Sequence, residues 1–332
     1  MKKNMVKRFT ALMAVAAMAL NITACGGAAA EDDGVLKVAI VKQMDHPSLD
    51  EIADAVAAQL DALAAQNNVT IEYTVYSGQG DQSVLMQIGD QVVAEGVDAI
   101  VPIATLAAQV MTVCAEETQT PVIYAAVSDP AAAELTGIPY VTGTSDALNT
   151  EYICDMMLAL DAEIDSVGLL YSLSEVNSQT PIEEAKAYLD AKGIAFIEAT
   201  GNTNDEVIQA ASVLVAEGVD AIFTPTDNIV MAAELAIASE FAEAGIPHYT
   251  GADSFVRNGA FTTCGVNYTD LGTKTADYAY IAMTEGFANL EDYYKIDGGI
   301  ITVNTETAAA LSLDYAAFNN MGEVVEVTTT AE

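Results

Sequence analysis

Seven residues occur twice in this chain. Ala94-Glu95-Gly96-Val97-Asp98-Ala99-Ile100 returns unchanged as Ala216-Glu217-Gly218-Val219-Asp220-Ala221-Ile222, an offset of 122 positions. The likeness continues upstream at the same offset, where Leu85-Met86-Gln87 faces Val207-Ile208-Gln209 and Val92-Val93 faces Leu214-Val215. Each copy reads as a helix stopped by a glycine, which takes the left-handed cap without a Cβ penalty, then a turn and a buried strand. The offset is too long for a solenoid. The pattern predicts two α/β halves of common ancestry; the alternative is a recurrent local helix–turn–strand solution.

Hydrophobic patterning extends this reading. Short β-branched runs at Leu36–Val41, Thr70–Tyr76, Ala99–Ile103, Val122–Ala125, Val167–Tyr171, Ala195–Ala199, Ala221–Thr224 and His248–Gly251 alternate with longer amphipathic stretches. Such alternation predicts βαβ units and parallel sheets, hence two Rossmann-like lobes with helices on both faces. Val141–Ser145, Gly251–Ser254 and Tyr294–Val303 are the expected crossings of a three-segment hinge. The lobes would then be 35–143 plus 252–290 and 144–251 plus 291–332.

Before the first strand comes a segment of another kind. Met1 to Arg8 holds four basic residues and no acid, Phe9 to Leu20 is a 12-residue run that is almost wholly apolar, and Ile22-Thr23-Ala24 precedes Cys25. This is the layout of a secretory signal peptide over 1–24, too short for a permanent membrane span. A cysteine directly after the small residues resembles a bacterial lipobox, which implies lipidation of Cys25 and a polar tether over 25–34. No later stretch reaches the ~18 uninterrupted apolar residues of a membrane helix.

Charge excludes several classes of partner. Forty-eight acidic residues against eleven basic ones leave a net charge of -37, a surface that repels nucleic acid and anionic lipid. Such a surface keeps a protein solvated, and it also steers cationic or zwitterionic solutes. Cys114, Cys154 and Cys264 are widely spaced without a CxxC, so they are read as small buried residues or one disulfide. With two histidines in the chain, no metal site is expected.

In open parallel α/β sheets, ligands bind beyond the carboxyl ends of the strands. The residues there are rich in Ser, Thr, Asn and Asp followed by helical pattern: His46, Gln79, Asp81, Thr105, Ser128 and Asp129 in the first half, and Ser174, Asn177, Ser178, Thr226, Asp227 and Asp253 in the second. Singly, each of these does no more than cap its helix. Together they would aim helix N-termini at one cleft, where free N–H groups and the dipole suit a carboxylate. Asp227 and Asp253 would then receive an ammonium. Tyr124, Tyr171, Phe223 and Tyr268 are candidate apolar walls or plain core, and His248 is core within a strand. GxGxxG after the first strand, GxxxxGK[ST] and GxSxG are all absent, so neither a cofactor nor an enzyme is expected.

The loops resemble those of ABC-transporter substrate-binding proteins of the tryptophan/tyrosine type. The segments that carry the resemblance are Asp45-His46-Pro47-Ser48-Leu49-Asp50, Gly78-Gln79-Gly80-Asp81-Gln82-Ser83, Ile103-Ala104-Thr105, Ala126-Val127-Ser128-Asp129-Pro130, Val141-Thr142-Gly143-Thr144-Ser145-Asp146, Ser174-Glu175-Val176-Asn177-Ser178 and Pro225-Thr226-Asp227-Asn228. The resemblance implies a type I periplasmic-binding fold on the outer side of the cell membrane. It also implies a small ligand, often an aromatic amino acid, on Thr105, Ser128, Ser174, Asn177, Ser178, Thr226, Asp227 and Asp253. The implied partners are a membrane permease and an ATPase. Leu106 and Val176 depart from the residues usual in that family. The alternatives are a sugar, nucleoside or peptide on the same fold, or a Rossmann-like enzyme.

Overall fold

The computed structural model describes residues 34–330, and the expected leader, Cys25 and all but the last residue of the tether lie outside the described residues. The first half runs β1 (Val35–Lys42), α1 (Pro47–Asn67), β2 (Thr70–Ser77), α2 (Gln82–Glu95), β3 (Ala99–Ile103), α3 (Thr105–Cys114), β4 (Val122–Tyr124) and β5 (Val141–Ser145). The second runs α4 (Thr150–Leu160), β6 (Ser166–Tyr171), α5 (Val176–Lys192), β7 (Ala195–Thr200), α6 (Asn204–Glu217), β8 (Ala221–Thr224), α7 (Asn228–Ala244), β9 (His248–Thr250), α8 (Asp253–Arg257) and β10 (Thr262–Val266). The chain ends with α9 (Tyr268–Glu285), β11 (Tyr294–Lys295), β12 (Gly298–Asn304), α10 (Thr305–Leu311) and β13 (Glu323–Val327).

Two sheets result, ordered β11-β5-β4-β3-β1-β2 and β13-β12-β10-β9-β8-β6-β7. Counted within each half, both follow the doubly wound order 2-1-3-4-5, so the duplication extends from a heptapeptide to the whole topology. The central strands explain themselves. β3 (AIVPI) and β8 (AIFT) are buried along their whole length, as continuous apolar runs covered by helices on both faces should be. The edge strand β2 alternates exposed and half-buried positions instead. Outer-face clusters lie around Leu85, Ile100 and Val122 in the first lobe and around Val167, Tyr249 and Phe261 in the second. The inner faces share one cluster that includes Leu49, Met231 and Phe255 at the cleft.

The chain passes between lobes three times. It leaves the first sheet after β5, returns at Asn267 to enter α9, and leaves again after β11. α9 lies along α1 because Gly272 allows it: a Cβ there would sit 2.7 Å from the Ile52 carbonyl oxygen and 2.7 Å from the Ala55 Cβ. Two crossings differ from expectation. Val141–Ser145 is a full strand, paired to β4 and β11. The second crossing is not at Gly251–Ser254, because β10 pairs parallel to β9 and antiparallel to β12 and so keeps 252–266 in the second lobe. Cys114, Cys154 and Cys264 are free, and His248 is core, held between Glu234 at 3.0 Å and the Thr224 hydroxyl at 2.8 Å.

Candidate functional site

The strand order of each sheet reverses at one place, between β1 and β3 in the first lobe and between β6 and β8 in the second. The helices that follow those four strands are α1, α3, α5 and α7. Their N-termini border one narrow cavity, with His46, Thr105, Asn177 and Asp227 among the lining. α8 and α9 complete the wall through Phe255 and Tyr268. No lysine or arginine lines it.

The four helix starts present different chemistry there. His46, Ala104 and Glu175, which precede α1, α3 and α5, make no side-chain cap bond; in α3 the Leu106 amide donates to Gln43 Oε1 at 3.2 Å, and neighbouring first-turn N–H groups such as those of Ser48 and Thr105 stay available to an anion. Ala104 (φ 78) and Ala126 (φ 55), both lining the cavity, hold left-handed backbone without being glycine. Strain of this kind, about 1–3 kcal/mol per residue, is retained where surrounding structure enforces it, most often at ligand sites. α7, by contrast, is fully capped. Asp227 Oδ1 accepts from the Ile229 and Val230 amides at 3.0 Å each, while Oδ2 accepts from the Ser172 amide and the Ser178 hydroxyl at 2.7 Å each.

Side chains of the two lobes bond directly across the cleft. Gln43 Nε2 donates to Glu175 Oε1 at 2.7 Å, Ser128 and Thr226 share a hydroxyl bond of 3.0 Å, and Ser48 meets Ser254. Asn228 Nδ2 donates to Glu175 Oε2 at 2.6 Å, which leaves its oxygen to accept from His46 Nε2 at 3.0 Å. That network assigns the proton of His46 to Nε2 and leaves Nδ1 a lone-pair acceptor, buried and without a partner, as is the Thr105 hydroxyl. Burial holds the His46 pKa below its ordinary value, keeping the ring neutral. Burial, reinforced by the neighbouring Asp227 carboxylate, pushes Glu175 up to about 7 against the opposing hydrogen bonds from Asn228, Gln43 and Asn177. Asp227 and Asp146 are raised too, burial again being the first cause.

Of the twelve positions singled out from the sequence, His46, Thr105, Ser128, Asn177, Thr226 and Asp227 come together in the cavity. Six do not line it. Gln79 and Asp81 are exposed after β2, one strand away from the switch point, where Asp81 caps α2 through Ser83 and Val84. Ser174 is exposed and bonded to Ser172, and Ser178 lies behind the lining on Asp227. Asp129 accepts from Thr180 at 2.7 Å and from the Ala132 amide, and Asp253 pairs with Arg257 at 3.0 Å.

The lining also includes residues outside those twelve positions, among them Ser48, Asp146, Asn228, Met231 and Phe255. Asp146 follows a strand, β5, that the patterning does not reveal. Met231 and Phe255 carry no readable signal, since both sit within ordinary helical pattern. Among the candidate walls, Tyr268 lines the cavity, Tyr124 and Phe223 are core, and Tyr171 bonds Glu198 at 2.6 Å. Among the described residues, no group of three or more His, Cys, Asp or Glu is placed to hold a metal ion.

Comparison with known proteins places this geometry. The tyrosine-binding protein of Clostridioides difficile is 26% identical over 289 residues, covering 86% of this chain and 83% of its own. The structure of an ABC domain in complex with L-Trp from Streptococcus pneumonia is 28% identical with a TM-score of 0.79, covering 87% of this chain and 99% of its own. The ligand-free, open structure of a substrate-binding protein with adhesive properties from Clostridium difficile is 26% identical with a TM-score of 0.65, covering 88% of this chain and 100% of its own. The family model of ABC transporter substrate-binding proteins matches residues 37–314. This is a family of binding proteins rather than enzymes, and the chain belongs to it.

Proposed function

We propose that this chain is the extracytoplasmic solute-binding component of an ABC importer and captures one amino acid, an aromatic one by preference, by closing its two lobes. The observation that carries this reading is the cavity itself. Bare helix N-termini suited to a carboxylate face polar groups of the opposite lobe, with Phe255 and Tyr268 in the wall. The names of two relatives, one tyrosine-binding and one in complex with L-Trp, favour this ligand class. The better overlay on the L-Trp complex than on the open relative, at similar identity and coverage, favours closure as the capture step. A ligand would replace direct bonds such as Ser128–Thr226 and His46–Asn228 with bonds of its own.

His46, Thr105, Ser128, Asn177 and Thr226 are the proposed direct contacts, with Asp227 fixing the shape of the second lobe. The closed form would dock on a permease driven by an ATPase, and lipid on Cys25 would tether the protein to the outer side of the membrane. Among the described residues no helix is long and apolar enough to cross a membrane. A thermal-shift screen of the twenty amino acids against sugars and nucleosides tests the ligand. A ligand at ~100 times its Kd adds about 2.7 kcal/mol of stability. A shift with tyrosine or tryptophan is expected; a shift with sugars or nucleosides alone overturns the reading.

A further inference from the structure

Three carboxyl groups are buried at the cleft, and they differ in how they are bonded and in whether they line the cavity. A carboxylate offers about four acceptor positions. Asp227 spends all of them on the Ser172, Ile229 and Val230 amides and the Ser178 hydroxyl. Glu175 takes three donors, the amide side chains of Gln43, Asn228 and Asn177, and does not line the cavity. Asp253, the other acid expected to meet an ammonium, lies outside the cavity and is paired with Arg257. Asp146 remains. It is 3% exposed, lines the cavity, and takes hydrogen bonds from the Ser128 hydroxyl at 2.9 Å, the Tyr268 hydroxyl at 3.2 Å and its own N–H. No cation faces it, since no lysine or arginine lines the cavity.

A buried carboxylate with only neutral donors around it is costly unless something positive joins it. Two more atoms of the same wall await a partner: His46 Nδ1 and Thr105 Oγ1 are buried without a hydrogen bond. The wall is therefore incomplete at three points, one of them anionic. We propose that Asp146 is the anchor for the ligand's primary ammonium group, so that the site selects amine-bearing zwitterions over the same acids lacking the amine. Its position sharpens the consequence. Asp146 directly follows β5 at the first crossing, and Tyr268 opens α9 just after the second, so the Asp146–Tyr268 bond joins two hinge segments. Ser128 bonds both Asp146 and Thr226, so a ligand cation on Asp146 acts on the same chain of bonds that joins the lobes.

This inference rests on the amino-acid reading, and the test separates the two. L-tyrosine, L-tryptophan and the des-amino acid 3-(4-hydroxyphenyl)propionate are titrated into the wild-type protein and the near-isosteric Asp146→Asn variant by calorimetry. Truncating one side of a buried charged pair costs enough for a loss of about 100-fold in affinity. Wild type should prefer tyrosine to its des-amino analogue by about that factor. Asp146→Asn should lose about as much for tyrosine while holding the analogue unchanged. Because the first comparison uses wild type alone, it stands even if the variant fails to fold. Equal affinity of wild type for tyrosine and the analogue, or undiminished tyrosine binding by Asp146→Asn, overturns the anchor and leaves the amino-acid reading intact. No amino acid binding to wild type overturns both.

Discussion

The two lobes are alike where they are framework and unlike where they meet. Gly96 (φ 69, ψ 49) and Gly218 (φ 71, ψ 43) end α2 and α6 in the same left-handed cap, each reaching back to carbonyls of the last turn. Asp98 accepts from the Lys37 amide at 2.7 Å and donates its own N–H to the Lys37 carbonyl at 2.8 Å. Asp220 repeats this with Ser166 at 3.0 and 2.9 Å. Past the next strand the copies part. β3 runs straight into Ala104, which gives α3 no cap of its own, whereas β8 runs through Pro225-Thr226 into Asp227, which caps α7 with one oxygen and binds Ser172 and Ser178 with the other. The duplicated half supplies a scaffold, and the few residues after each strand supply the chemistry: helix starts without a cap of their own after β1, β3 and β6, and a fully bonded carboxylate after β8.

The sharpest way to break that contrast is to remove the cap from one lobe and a cavity hydroxyl from the other. Asp227→Ala leaves two buried donors and the first turn of α7 without an acceptor, so it should destabilise the fold by about 3–5 kcal/mol. Thr105→Val removes a hydroxyl that has no partner in the fold, so its effect on stability should stay under about 1 kcal/mol. Urea melts of the two variants measure both. Similar losses in the two lobes would mean that Asp227 and Thr105 share a role, contrary to the geometry.

How far residues alone lead depends on the range of the forces involved. The eight strands read from patterning are all present, because apolar runs bounded by turns are a local record of burial. Short strands such as β5, with its Thr and Gly, carry little apolar signal, so Val141–Ser145 reads as a hinge crossing although it is a paired strand that ends at one. The fate of β10 depended on pairing with β12, some forty residues further on, which no local pattern records. The same limit governs the site. Loops after β1, β3, β6 and β8 share one cavity because of strand order. Gln79 and Asp81 have the same residue character after β2, yet they fall one strand away. Asp227 and Asp146 look equally available as letters; the donors around them decide which has capacity to spare.

A second contrast concerns protons. Glu175 of the second lobe and His46 of the first are joined through Asn228, and burial moves them in opposite directions. Glu175 is raised from 4.5 to about 7. Between those values the folded form keeps a proton that the unfolded chain has lost, so stability falls as pH rises through that interval and is steady above it. His46, with a lowered pKa, contributes the reverse: below pH ~6.5 the unfolded chain gains a proton that the folded one resists. Glu175→Gln removes only the first contribution. Its melting temperature relative to wild type should climb by several degrees between pH 5 and pH 8. A constant difference across that range would show that Glu175 does not hold the proton.

The smallest effect tests the common framework. Neither Gly96 nor Gly218 has any atom within 4 Å of where a Cβ would be, so substitution adds backbone strain and nothing else. Gly96→Ala and Gly218→Ala should each cost about 1 kcal/mol, the difference between glycine and alanine in the left-handed region. The two costs should agree within about 0.5 kcal/mol, and solute affinity should not change, because both caps lie at the opposite end of their strands from the cavity. Denaturant midpoints of the matched pair decide it. A large gap between them would mean that the lobes unfold as separate units of unequal stability, and the likeness of the copies would then end at geometry.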